Sequence, residues 1–144
     1  MASNPVEIEL LENGDYHIKL NHQLLADIDV QLSKVPEENR GGVARALLSA
    51  SALYCMAGTL TDMLKARSVP VAGMTGSASV RIGKDGKGRE VVDFLNISLD
   101  VDVPEENLQE LNRCIKILDD GCFITGGLKK GLLVNNHIRR VISS

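Results

Sequence analysis

Two cysteine segments are the parts of this chain whose residue types could do chemistry. Cys55 lies in the apolar stretch ALLSASALYCMAGTLTDML, and Cys122 follows a glycine in DDGCFITGGLKKG. A cysteine thiolate can be oxidised and can form a disulfide, whereas a buried thiol can also serve only as a small hydrophobic side chain. The third cysteine, Cys114, lies beside the apolar stripe of its own predicted helix, which favours a place in the core.

The spacing around Cys55 predicts a helix with two different faces. One apolar stripe, at helical spacing, comprises Ala50, Leu53, Ala57, Leu60 and Leu64. Cys55 lies on a more polar stripe, formed with Leu48, Ser51, Thr59 and Asp62. This polar setting is unusual for a cysteine that only packs. Serine and threonine in a helix often just bond back to the preceding turn, however, so spacing alone favours a structural Cys55.

Cys122 follows Gly121, which is predicted to end a helix that opens at Pro104. A short helix that starts again after Cys122 would place the thiol near a helix N-terminus, where thiol pKa values fall. The glycines that follow suit a thiol that must move toward another thiol. They are equally typical of an irregular loop.

Composition narrows the class of protein. A chain of 144 residues suits one compact domain, and a net charge of −3 argues against nucleic acid or an anionic membrane as the main partner. Glu7, Glu9 and Glu12 interrupt any signal peptide, and the longest uncharged run, 46–61, is too short to span a bilayer. Three cysteines do not suggest a secreted disulfide framework, so we expect a cytoplasmic protein. The three histidines are scattered and no CxxC occurs, so neither a metal nor another cofactor is predicted.

The remaining patterns predict an α+β fold with antiparallel hairpins. Alternating apolar residues indicate strands at 6–10 and 16–20 around an Asn-Gly turn, and a weaker pattern indicates a third strand at 24–30. A long helix over 43–66 precedes strands over 69–82 and 91–103. After the second helix, a final strand is predicted at about 132–142.

Together the two cysteine segments resemble those of the OsmC/Ohr family of thiol-dependent hydroperoxide reductases. The first family motif, P-E-x-L-L-x-A-A-x-x-x-C, is matched by Leu47, Leu48, Ala50 and Cys55, and RSVPVAG then resembles the family's entry into a strand. The second motif is similar to GCFITGGL at 121–128. The order of elements fits as well, and the resemblance covers essentially the whole chain, 1–144, as a single OsmC-like domain.

The resemblance implies an intertwined homodimer in which antiparallel sheets wrap two central helices. It implies that Cys55 is the peroxidatic thiol, oxidised by an organic hydroperoxide to a sulfenic acid, and that Cys122 resolves it as a Cys55–Cys122 disulfide. A dithiol reductant such as a lipoyl group would then reduce the disulfide. No nucleic acid or membrane partner is implied.

The sequence departs from this family at the residues that ionise the first cysteine. The motif glutamate falls on Arg45 and the preceding proline on Ala44, and no arginine occurs before Arg40 to match the family's N-terminal arginine. Arg45 is therefore a candidate for the cation that activates Cys55, reaching it across the dimer. The alternative is that Arg45 is a solvated first-turn residue.

The matches to this family and the departures from it predict two alternative functions. The first is an organic hydroperoxide reductase that uses Cys55 and Cys122, which both cysteine contexts favour. The second is an OsmC-like protein without peroxidase activity that binds a small apolar ligand at the dimer interface. The missing glutamate and arginine favour this second function.

Overall fold

The structure is a computed structural model, and it describes residues 4–142. The described residues form two compact units, which divide between Ala46 and Leu47 in the first turn of helix α1 (Val43–Ala66). That 1–144 forms one OsmC-like domain stays a prediction.

The first unit is an antiparallel sheet of three strands. Strands β1 (Glu7–Leu10), β2 (Tyr16–Lys19) and β3 (Ile28–Val30) lie in the order β1–β2–β3. The predicted Asn-Gly turn is present, and Gly14 adopts a φ of +89°, which glycine accepts without strain. The third strand is shorter than predicted because Leu24 and Leu25 lie exposed before it.

A buried carboxylate ties the first unit together. Asp15 accepts hydrogen bonds from the backbone N–H of Ser33 at 2.7 Å and from its hydroxyl at 2.9 Å. Asn13 donates a further bond from its side chain. The Ser33 backbone bond is the main reason that the pKa of Asp15 lies below its usual value. The turn after β1 is thereby fixed to the segment after β3.

The second unit consists of the rest of α1, one long hairpin and two further helices. Strands β4 (Gly73–Lys84) and β5 (Glu90–Asp102) pair antiparallel, with an irregularity between Arg81 and Ile82. Helices α2 (Leu108–Leu118) and α3 (Phe123–Lys130) follow. The predicted α+β class, the helix over 43–66 and the short helix after Cys122 are confirmed.

The core of the second unit lies where α1 ends. One buried cluster contains Leu60 and Leu64 of α1, Val69 just after α1, and Cys114 of α2. The inner ends of β4 and β5 pack on this cluster through Met74, Leu99 and Val101. Cys114 is fully buried, so its predicted place in the core is confirmed. This packing joins the helix of Cys55 to the helix that leads to Cys122.

The predicted final strand is wrong for the single chain. Residues 132–142 form neither helix nor strand, and their apolar side chains are exposed. A strand needs hydrogen-bonding neighbours, and within the described residues this segment has no strand beside it. The apolar side chains of this segment therefore remain exposed in the single chain.

Helix α1 is also largely uncovered. Its buried residues are Ala52, Cys55, Leu60 and Leu64, whereas Tyr54 is 76% exposed. By length and composition alone the stretch 37–66 could cross a membrane, a test that the core helix of a soluble protein also passes. Only 17% of the most apolar 18 residues of this stretch are buried within the chain. The single chain therefore leaves most of this apolar helix without a partner.

We expect Leu64→Ala to lower the free energy of unfolding by about 2–5 kcal/mol, because it opens a cavity in the cluster at the end of α1. The matched control is Leu24→Ala, which removes the same atoms from a side chain that is 82% exposed. Denaturant unfolding of both variants at one protein concentration measures the difference. Equal losses in the two variants would contradict this location of the core.

Candidate active site

Cys55 lies in the middle of α1 and is buried. Its side chain is 8% exposed. Thr59 lies one helical turn further on, and its hydroxyl acts to lower the pKa of the Cys55 thiol. The polar stripe predicted from the sequence thus brings a hydroxyl to the thiol.

Cys122 is the N-cap residue of α3 and is 5% exposed. The first backbone N–H groups of a helix have no partner inside that helix, so a side chain at this position can accept from them. The Cys122 sulfur accepts from the backbone N–H of Thr125, and the backbone N–H of Cys122 donates to Thr125 Oγ1 at 2.9 Å. Since Oγ1 accepts that bond, its own hydrogen is free for the Cys122 sulfur, 3.3 Å away.

Gly121 allows this arrangement. It adopts a φ of +93°, and a Cβ at this position would lie 2.6 Å from the backbone nitrogen of Gly126 and 2.7 Å from Thr125 Oγ1. Any side chain here would therefore push the first turn of α3 away from Cys122. The predicted role of Gly121 as a helix terminator is confirmed, since its N–H bonds to the carbonyl oxygen of Leu118.

The structure brings Cys55 and Cys122 together. Each thiol is close enough to shift the pKa of the other, and the backbone N–H of Ile124 acts to lower the pKa of both. Both are free thiols. The start of α3 therefore acts on two cysteines that are far apart in sequence.

The surroundings shift the pKa values of the two thiols in opposite directions. Burial raises the pKa of Cys55, and its hydrogen bond with Cys122 adds to this, while Ile124 and Thr59 offset only part of the shift. Burial acts in the same direction on Cys122. The hydrogen bonds from Cys55, Thr125 and Ile124 outweigh it and lower the pKa of Cys122.

A concave apolar pocket of about 450 Å³ lies beside α3 and opens to solvent. It is lined by Leu48, Met56, Val92, Asp93, Phe94, Leu95, Ile97, Thr125, Leu128 and Lys129. Thr125 contacts Cys122, so the pocket lies one side chain away from that thiol. An alkyl or aryl group of modest size fits this volume.

Arg45 lies in the first unit, at the start of α1. Its side chain is exposed, and its guanidinium group lies over the backbone of Gly41 and Gly42. Apart from Cys122, the groups that shift the pKa of Cys55 are uncharged. A role for Arg45 as the activating cation stays a prediction.

Thr125 is a residue of this candidate site that the sequence reasoning missed. It is 6% exposed, contacts Cys122 and lines the pocket. The signal that could have found it was a hydroxyl residue three positions after Cys122, at the N3 position of a helix that starts there. A capping box has this spacing.

Solved structures of several OsmC-like or hydroperoxide resistance proteins share the architecture of this chain. An OsmC-like protein of unknown function from Vibrio cholerae superposes with a TM-score of 0.67 at 15% identity, covering 88% of this chain and 94% of that one. An OsmC-like protein from Mycoplasma pneumoniae gives 0.64 at 15%, covering 89% and 88%. An organic hydroperoxide resistance protein from Elizabethkingia anophelis gives 0.55 at 16%, covering 89% and 90%.

At the level of sequence, no family model and no curated protein matches the chain. The likeness is therefore one of structure, over nearly the whole length of each neighbour. The chain has the fold of the OsmC/Ohr proteins, which confirms the resemblance recognised from its two cysteine segments.

Proposed function

We propose that this protein is a thiol-dependent peroxidase that reduces organic hydroperoxides with Cys55 and Cys122. The observation that supports the proposal is that these two free thiols lie together beside the N-terminal N–H groups of α3. Two neighbouring thiols can give two electrons to an oxidant and form a disulfide.

The reaction has two steps. A thiolate attacks the outer oxygen of the hydroperoxide, so that an S–O bond forms, the O–O bond breaks and the alcohol leaves after taking a proton. The second thiol then attacks the sulfenic sulfur, an S–S bond forms and water leaves. The family resemblance predicts that Cys55 attacks first and that Cys122 resolves.

The pocket supports an organic rather than a purely polar substrate. Its walls are mainly aliphatic and aromatic, with one acidic and one basic side chain, Asp93 and Lys129. Lys129 is engaged by the backbone carbonyl of Asp119, so it is held at the end of α3. An alkyl hydroperoxide can bury its hydrocarbon part against these walls while its oxygens approach Thr125 and the thiols.

The disulfide must be reduced again for turnover. We propose a small dithiol such as a lipoyl group as the reductant, because its second thiol completes the exchange within one molecule. The predicted cytoplasmic location is consistent with the three free thiols of the chain.

We further propose that the protein acts as an intertwined homodimer. Much of α1, including Tyr54, is uncovered, and the segment 132–142 exposes apolar side chains. These are Leu132, Leu133, Val134, Ile138, Val141 and Ile142. A second copy with the same exposed apolar side chains could cover them.

One observation favours the alternative function, a protein that binds an apolar ligand without reducing it. No cation is among the groups that raise or lower the pKa of Cys55, and that pKa is raised. A thiol in this state reacts slowly with peroxide because the thiolate is the nucleophile.

Treatment with one equivalent of cumene hydroperoxide should lower the intact mass by two hydrogen atoms. Peptide mapping should place the change in a Cys55–Cys122 disulfide, because these thiols lie together. Cys55→Ser and Cys122→Ser should both abolish the bond, and Cys114→Ser, which changes a core cysteine, is the control that should retain it. An unchanged mass with both thiols intact would leave only the ligand-binding function.

The substitution Arg45→Ala tests the cation hypothesis. If the guanidinium group activates Cys55, the rate of Cys55 oxidation by cumene hydroperoxide should fall by about tenfold or more, as expected when a stabilising charge is lost. Arg40→Ala changes a neighbouring arginine of the same unit and should leave the rate unaltered. Equal rates in wild type and Arg45→Ala would exclude this role for Arg45.

Light scattering after gel filtration should give twice the chain mass of 15.6 kDa. Leu133→Asp should weaken the dimer at least about tenfold, since it places a charge on an apolar residue that we expect the partner to cover. Asn136→Asp adds the same charge nearby and is the matched control. A monomer at all concentrations, with wild-type and variant chains alike, would contradict the dimer.

A further inference from the structure

Thr125 does more for Cys122 than capping a helix requires. The side chain at the N3 position of a capping box accepts one bond from the N-cap backbone N–H, and Thr125 Oγ1 does so at 2.9 Å. The same oxygen lies 3.3 Å from the Cys122 sulfur, and its hydrogen is free to point at that sulfur. Glutamate, a common residue at N3, would accept the first bond but could not donate the second.

The Thr125 hydroxyl is held in place on two sides. The residue is 6% exposed, and the close approach of Gly121 to Oγ1 leaves no room there even for a Cβ. Cys122 contacts the same oxygen through its backbone N–H and its sulfur. The branch at Cβ also restricts rotation of a threonine side chain in a helix. The donor is therefore in position before any charge forms on the sulfur.

A donor fixed beside this sulfur favours the thiolate over the disulfide. Hydrogen bonds to an ionised acceptor are roughly twice as strong as those between neutral groups. Cys122 is an anion when it attacks another sulfur, and again when a reductant displaces it from a disulfide. Within the disulfide its sulfur carries no charge, so the bond from Thr125 is weaker in the oxidised state.

We infer that Thr125 is the positioning residue for the resolving step: its hydroxyl holds Cys122 as a thiolate for attack on Cys55 and makes the resulting disulfide easier to reduce. This inference rests on the proposed peroxidase function, with Cys122 as the resolving thiol. Thr125 acts through Cys122 and need not touch the reacting oxygen.

Both reactions balance. The Cys122 thiolate attacks the sulfur of the Cys55 sulfenic acid, the S–S bond forms, the S–O bond breaks, and hydroxide leaves as water with the proton that the Cys122 thiol gave up. In reduction, one thiolate of a dithiol attacks the Cys55 sulfur and Cys122 leaves as a thiolate. The second thiol of the reductant then displaces Cys55 and closes the reductant's own disulfide.

The disulfide equilibrium can be measured without any hydroperoxide. Protein oxidised with diamide is equilibrated in buffers of reduced and oxidised dithiothreitol, at a pH high enough to ionise Cys122. Peptide mapping gives the fraction that keeps the Cys55–Cys122 disulfide. Thr125→Val should shift the equilibrium toward the disulfide by about tenfold, because the reduced state loses a hydrogen bond to a charged sulfur. Thr125→Ser restores the hydroxyl and should restore the equilibrium.

Two further variants separate this role from helix capping. Thr125→Asp keeps an acceptor for the Cys122 N–H but has no donor when ionised, so it should shift the equilibrium in the same direction as Thr125→Val. It also serves if the valine variant does not fold. Thr61→Val makes the matched change at an exposed hydroxyl that donates to the carbonyl oxygen of Ala57, and it should leave the equilibrium unaltered.

A second arm follows the resolving step itself. With one equivalent of cumene hydroperoxide and a sulfenic-acid trap, Thr125→Val should give at least about threefold more trapped Cys55, relative to disulfide, than wild type or Thr125→Ser. A wild-type equilibrium in Thr125→Val, or a shift that serine does not reverse, would overturn the inference. If neither thiol reacts with hydroperoxide but the equilibrium shifts as expected, the peroxidase function fails while the action of Thr125 on the thiol pair stands.

Discussion

The first turn of α3 is the constraint on which the site depends. The unpaired N–H of Thr125 points at the Cys122 sulfur instead of at another backbone group. Helix N-termini stabilise anions in proteins of many folds, and here the residue at the N-cap is a cysteine whose pKa is lowered. The same turn also reaches Cys55, so one set of donors serves both thiols.

The rest of the second unit holds that turn in place. Cys114 and Leu64 join α2 to α1 in one buried cluster, so the thiol on α1 and the chain that leaves α2 have a fixed separation. Gly121 then allows a reversal so tight that a side chain would collide with α3. The core is therefore a positioning device as well as a source of stability, because a displaced α2 would move Cys122 away from Cys55.

Much of this could be predicted from the sequence because the signals are local. Helical spacing located α1, the glycine after α2 located its end, and the position of Cys122 predicted a helix start. The final strand at 132–142 was wrong, since apolar alternation cannot say whether a pairing strand exists in the same chain. Thr125 was missed because its role depends on the fold of α3 around Cys122, and this contact leaves no periodic pattern in the sequence.

The donors at the start of α3 should make Cys122 the more acidic of the paired thiols. An NMR titration of protein isotopically labelled at the cysteine Cβ follows both thiols directly, without a reagent and without oxidation. The Cβ signal of Cys122 should shift at lower pH than that of Cys55, and Cys55 should titrate above its ordinary range. A Cys55 signal that titrates first would contradict this role of α3.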